Sequence, residues 1–240
     1  MKQVLSGIIF SVYLLLVACA SQPDIPARSK AEIQKSVDSY TQLGFAYLER
    51  QNLERAKRSF VKALTINDDA PNALHGMALI YQQEGENQLA ERYFRQALAQ
   101  DKQFSVARNN FAAFLYANAR YDEACQQLRQ TVSDTLYLNR QLAFENLGLC
   151  EQQRGRLEQA DSAFQRALQL NKQSARTLLE LAHIKQLQNK PLDSWDYLQR
   201  HWKVAKATER SLRLGIHLAQ ILGKRADGNR MAAELTRLKQ

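Results

Sequence analysis

Few side chains in this 240-residue chain can do chemistry by themselves. It holds three cysteines, Cys19, Cys125 and Cys150, and four histidines, His75, His183, His201 and His217. A cysteine can take an acyl chain, ligate a metal, act as a nucleophile or pair with a second thiol. Metal and nucleophilic roles need partners at defined spacing. No CxxC, HExxH, Gly-x-Ser-x-Gly or phosphate-binding loop occurs. None of the histidines has a cysteine or histidine at ligand spacing, so surface or packing roles account for them. Paired Glu and Asp residues are abundant and read as solvated helix faces. The chain therefore reads as a non-enzyme with no metal, no cofactor and no small-molecule substrate. Its cysteines are left to covalent and structural work.

The first cysteine ends a segment of distinct composition. Lys2 carries the one early positive charge, and Val4 to Val17 is then almost purely apolar with no charge. That is a secretory signal in length and order, too short for a stable membrane span. It closes with Leu16-Val17-Ala18-Cys19, which resembles the bacterial lipobox. The resemblance implies cleavage after residue 18 and covalent lipid on Cys19. The other reading is an ordinary signal with an incidental cysteine. Acylated chains bury many CH₂ groups at about 0.8 kcal/mol each, so such an anchor is effectively permanent. Ala20 follows rather than Asp, which favours the outer membrane over retention at the inner one. Residues 19–32, with Pro23, Pro26 and Ser29, read as the lipidated cysteine and a flexible tether.

These sites need a scaffold, and its elements show as a repeat. Leu43-Gly44-x-x-Tyr47 precedes Ala56, Phe60 and Ala63; the pattern returns 34 residues later as Met77-Ala78-x-x-Tyr81 with Ala90, Phe94 and Ala97. It recurs as Phe111-Ala112 with Ala124 and Leu128. After a two-residue insertion come Leu147-Gly148 with Ala160, Phe164 and Ala167, then Leu181-Ala182 with Ser194 and Leu198. Scarce glycine (9) and proline (4) suit helix. The pattern resembles the tetratricopeptide (TPR) repeat: two antiparallel helices whose small residues allow close approach while a Phe fills the gap to the next unit. The expected fold is all-α, a right-handed TPR superhelical solenoid of about six helix-turn-helix repeats over 33–240. The units fall near 37–70, 71–104, 105–140, 141–174 and 175–208, with a degenerate sixth or cap at 209–240. Another array of helical hairpins is the alternative.

Gly85, Gly155 and Asn189 fall where a helix must stop with positive φ. Pro71 suits a first helical turn, behind a cap at Asp68 or Asp69. The large residue at position four is Tyr40, Leu74, Arg108, Phe144, Leu178 and Leu212 in turn, never the family's Trp. The sixth unit has Gly215-Ile216 in place of Leu-Gly.

In this register Cys125 lies on the second helix of unit three and Cys150 on the first helix of unit four. Those helices are neighbours in a stacked array, and an exported protein meets an oxidising compartment. A Cys125–Cys150 bridge is expected, with two buried free thiols as the alternative. Family resemblance also places positions 2, 5, 9, 12 and 13 of each unit on the concave face. These are Asp38, Thr41, Phe45, Leu48 and Glu49 in unit one, and Asn72, His75, Leu79 and Gln82 in unit two. Unit three adds Val106, Asn109, Ala113 and Tyr116. Phe45, Leu48 and Leu79 are apolar where a solvated groove would be polar, which fits an extended peptide or a helix.

The net charge is +9, with basic residues from Lys203 to Arg230 in the last units. Export argues against nucleic acid and leaves anionic lipid or an acidic protein as the alternatives to a solvated surface. The lipobox, short tether and TPR units, the opening Leu43-Gly44-Phe45-Ala46-Tyr47-Leu48 and the paired mid-chain cysteines resemble the type IV pilus biogenesis/stability lipoproteins, the PilF/PilW family. The resemblance implies an outer-membrane pilotin facing the periplasm. It would bind the secretin subunit and promote its localisation and multimerisation. A periplasmic TPR lipoprotein serving as adaptor for peptidoglycan enzymes is the alternative.

Overall fold

The computed structural model describes residues 29–238, which form twelve helices in six antiparallel pairs. In chain order the pairs are α1 (Lys30–Glu49) with α2 (Leu53–Ile66), α3 (Pro71–Gln83) with α4 (Asn87–Gln100), and α5 (Ser105–Ala117) with α6 (Tyr121–Ser133). They continue with α7 (Arg140–Gln153) and α8 (Leu157–Leu170), α9 (Ala175–Leu187) and α10 (Pro191–Val204), then α11 (Glu209–Ile221) and α12 (Arg225–Arg237). Each pair packs on the next, giving the TPR solenoid of about six units. Cys19 and the apolar stretch before it lie outside the described residues. Among the described residues no helix is long and apolar enough to cross a membrane.

The small-and-large pattern works as close packing. Phe60 is fully buried, and a Cβ added to Gly44 would lie 2.5 Å from its ring, one added to Gly76 2.3 Å. Phe60 is thus wedged between its own unit and the next, in space only hydrogen atoms vacate. Phe164 repeats the arrangement against Gly148, where a Cβ would approach to 2.7 Å. In the last unit Gly215 does the same task one position early, with Met231 and Trp202 as the neighbours. Met231 is the one buried residue of α12, so this pair is both a sixth unit and the cap.

Each hairpin turn holds one residue with positive φ: Gln51, Gly85, Ala119, Gly155, Asn189 and Gly223. Three of these were expected. Gln51 and Ala119 carry no glycine or asparagine signal, and Gly223 follows a weak repeat. Helix starts differ from expectation in two places. The first helix begins at Lys30, inside the presumed tether, because Ser29 and Glu32 form a reciprocal capping box. Pro71 does open α3, but its N-cap is Ala70, and neither Asp68 nor Asp69 caps it.

Arg108, in place of a large apolar residue, stays half-buried by bonding outward. Its guanidinium donates to Gln127 and Gln130 at 3.1 and 2.6 Å and to the Lys102 carbonyl. Burial pushes its pKa down.

Candidate functional site

The odd-numbered helices present one continuous face, and the chemistry available on it changes along the array. In units one to three it is aromatic. Phe45 is half-buried, edge-on to Phe60 at 5.0 Å and 5.9 Å from the His75 ring. His75 is itself buried and ringed by Phe94 and Phe104 at 6.1 and 5.3 Å. Asn110 Nδ2 sits 2.9 Å from His75 Nε2. Desolvation pulls the imidazole pKa down to about 4, so at neutral pH Nε2 accepts from the Asn110 amide.

This corrects three of the expected groove residues. Thr41, Leu48 and His75 are buried and offer little surface to a partner. The period gives the direction in which a side chain leaves its helix, while the neighbouring unit decides whether it is covered. Asp38, Glu49, Asn72 and Gln82 are exposed, as are Val106 and Ala113; Phe45, Leu79, Asn109 and Tyr116 are half-buried. The apolar patch therefore reduces to Phe45 and Leu79.

Further along, the face becomes polar. Asn146 Nδ2 donates to Asn109 Oδ1 at 3.2 Å, tying unit four to unit three. Beside that bond lies a cavity of about 140 Å³ bordered by Ala113, Tyr116, Asn146, Leu149 and Arg176. Ligand and cofactor sites run from about 300 to 1,000 Å³, so this one suits a single inserted side chain. Asn146, Leu149 and Arg176 were not among the expected residues. The signal was present, because the same register extended into units four and five reaches Leu149 and Arg176.

Units four to six carry buried charge. Glu145 accepts from Ser174 Oγ at 2.7 Å and from Thr177 Oγ1, with Arg176 at 3.9 Å. Glu151 takes Arg129 at 2.5 Å and Arg154 at 3.0 Å. Lys185 pairs with Asp161 at 2.8 Å. Arg210 reaches Glu180 through two bonds of 2.5 and 2.7 Å; that bidentate fork raises the Arg210 pKa. A second concavity, about 390 Å³, has His183, Arg210, Arg213 and His217 on its walls. Among the described residues no three His, Cys, Asp or Glu converge as a metal site would require.

Cys125 and Cys150 are joined by a disulfide between α6 and α7, with Cα atoms 5.7 Å apart, within the ordinary range. Both are fully buried. The bridge falls where the aromatic half meets the charged half.

Comparison with known proteins agrees with this architecture. The tetratricopeptide repeat family matches residues 37–69, 73–105, 106–135 and 143–174. The chain is 34% identical over 234 residues to the type IV pilus assembly protein PilF of Pseudomonas aeruginosa, covering 97% of this chain and 93% of that one. An uncharacterised protein of Haemophilus influenzae is 28% identical over 146 residues, 61% of this chain and 78% of its own. Among solved structures, Pseudomonas aeruginosa PilF superposes with a TM-score of 0.79 at 35% identity, covering 86% of this chain and 93% of that one. PilW, a type IV pilus biogenesis factor, gives 0.74 at 26%, with 84% and 92% covered. The match to PilF spans the whole repeat array at an identity that a shared fold alone does not require. The chain belongs to the tetratricopeptide-repeat family and, within it, to the type IV pilus biogenesis proteins that include PilF and PilW.

Proposed function

We propose that this protein is an outer-membrane lipoprotein, anchored through Cys19, that acts as pilotin for the type IV pilus secretin. It binds the secretin subunit in the periplasm and promotes its arrival and multimerisation in the outer membrane. The observation that carries the reading is the 34% identity to PilF over 97% of the chain. The mechanism is capture without catalysis. An extended secretin segment lies along the odd-numbered helices, with its main chain offered to Asn109 and Asn146 and one apolar side chain in the cavity beside Tyr116. The half-buried pair Phe45 and Leu79 continues the apolar track into the first units. The lipid on Cys19 supplies the address, so where the scaffold is held decides where the secretin assembles.

Deletion of the gene tests this, with heat-resistant secretin multimers read on a gel and twitching measured in parallel. Loss of multimers is expected, while normal multimers and normal twitching would defeat the pilotin role. Cys19→Ser should mislocalise the secretin together with this protein. To probe the groove, Tyr116→Ala is preferable to a charge at Phe45, because Phe45 packs on the buried Phe60 ring. Tyr116→Ala should weaken secretin capture while leaving the helical circular dichroism unchanged.

A further inference from the structure

Five loops join the second helix of one unit to the first helix of the next. Four of them, 67–70, 101–104, 171–174 and 205–208, have four residues, whereas the loop from α6 to α7, 134–139, has six. The two-residue insertion in the repeat lies here. It reads Asp134-Thr135-Leu136-Tyr137-Leu138-Asn139. Leu136 is 87% exposed and Leu138 97% exposed, more than any other large apolar side chain among the described residues. The other four loops hold no comparably exposed aliphatic residue.

The loop is braced. Asp134 Oδ1 accepts the Leu136 N–H at 3.0 Å, and Asp134 Oδ2 accepts the Ser105 hydroxyl at 2.6 Å. Arg140 N–H donates to the Tyr137 carbonyl at 3.1 Å, and Arg140 Nε to the Val132 carbonyl at 2.8 Å. Tyr137 turns inward and is half-buried, so the alternation sends the two leucines outward. Leucines this exposed add nothing to folding, since the unfolded chain exposes them equally. A fixed loop that holds two of them in water presents them to something else.

We infer that Leu136 and Leu138 form a wedge that enters the lipid bilayer. The inference rests on the anchoring of Cys19 proposed above. Successive helices are antiparallel, so every odd-numbered helix starts at one edge of the array. Ser29, where the tether meets α1, and the 134–139 loop both lie at that edge. The ten residues from Cys19 to Ser29 span at most ~35 Å. The loop lies three units along, roughly 30 Å at ordinary interhelix spacing. A protein held by lipid at Cys19 therefore has this edge within reach of the membrane. The tip carries two aliphatic side chains that are almost wholly exposed. A bilayer takes such side chains without a shaped pocket, whereas the strong anchors of a protein interface sit packed at its centre.

The test uses the mature lipidated protein in vesicles of phosphatidylethanolamine and phosphatidylglycerol. Leu138→Trp places an indole at the tip, and lipids with brominated acyl chains report its depth against the wild-type background from Trp195 and Trp202. The added emission should shift to the blue and be quenched. Added emission that stays unquenched on vesicle-bound protein overturns the inference. So does quenching that is absent while secretin addition shifts the emission, which would make the loop a protein contact. Acylation is read separately, from the mass of the mature protein. If acyl chains are missing the anchor reading falls on that measurement alone; the wedge is then read on the vesicle-bound fraction only, where an unquenched indole counts against it.

Discussion

Units one to three and units four to six share a backbone plan and differ in what fills it. In the first half the space between units is aromatic: Phe94 lies 5.4 Å from Phe111 and 5.7 Å from Phe114, and the one buried ionisable group, His75, is held neutral. In the second half the buried carboxylates Glu151 and Glu180 pair with Arg129 and Arg210 on neighbouring helices, while Glu145 is held by the Ser174 and Thr177 hydroxyls with Arg176 at 3.9 Å. Apolar filling is tolerant of geometry and its strength follows volume and fit. A buried ion pair is exacting, because losing one partner strands the other. Directional bonds cross between units in both halves, such as Arg120 to Glu91 in the first, but only the second half buries the charge that those bonds must satisfy. The Cys125–Cys150 bridge staples the boundary.

Several substitutions would break or sharpen that contrast, and they are ordered by expected size. Phe60→Ala, in the aromatic half, should cost about 4 kcal/mol in urea unfolding, since Gly44 and Gly76 leave nothing to fill the space. A cost below 1 kcal/mol would mean that the half collapses freely and is not tightly packed. Opening the disulfide comes next. A separation of 25 residues gives a loss of about 3.5 kcal/mol in the entropic model, seen as a lower urea midpoint under reductant. If the halves are coupled chiefly through this bridge, the transition should also become two-step.

Asp161→Ala in the charged half should cost about 3 kcal/mol by leaving Lys185 buried without its partner. The double change Asp161→Leu with Lys185→Met should recover most of that. Equal losses in the single and double variants would show that packing, and not charge, governs this half.

Acid should strike the aromatic half first. The His75 pKa is about 4 in the folded protein, below the unfolded value near 6.5, so the unfolded chain takes up the proton first as pH falls. Stability from this group is whole above pH 6.5 and declines toward pH 4, by about 2 kcal/mol between pH 7 and pH 5. Unfolding free energies across that range should show the slope, and His75→Gln should reduce it. The smallest effect is at a turn. Ala119 has φ of 58°, so Ala119→Gly should stabilise by about 1 kcal/mol. The same change at Ala113, in the middle of α5 and exposed, should instead destabilise by a similar amount.

The architecture was legible because a repeat protein makes its contacts with near neighbours in sequence. The period, the Gly44 and Gly148 approaches, the Phe60 and Phe164 fillers and the turns at Gly85, Gly155 and Asn189 are each set within a few dozen residues, and all seven residues are where the pattern put them. The cysteine pair was readable for the same reason, once the register placed both residues on adjoining helices. Local capping escaped the pattern, as the early start at Ser29 shows. The concave face was only half readable: position five of successive units holds Thr41, His75, Asn109 and Glu145, and nothing in the spacing says which are covered.

The sequence by itself determined the number of units, their order and the direction each side chain leaves its helix, because helical geometry fixes these locally. Only the tertiary structure decided exposure. His75 is buried because Phe45, Phe94 and Phe104 close around it, and Leu136 and Leu138 stand in solvent because two inserted residues carry them beyond the neighbouring units. Burial is a sum over neighbours that belong to different repeats. A pattern that describes one repeat at a time does not contain that sum.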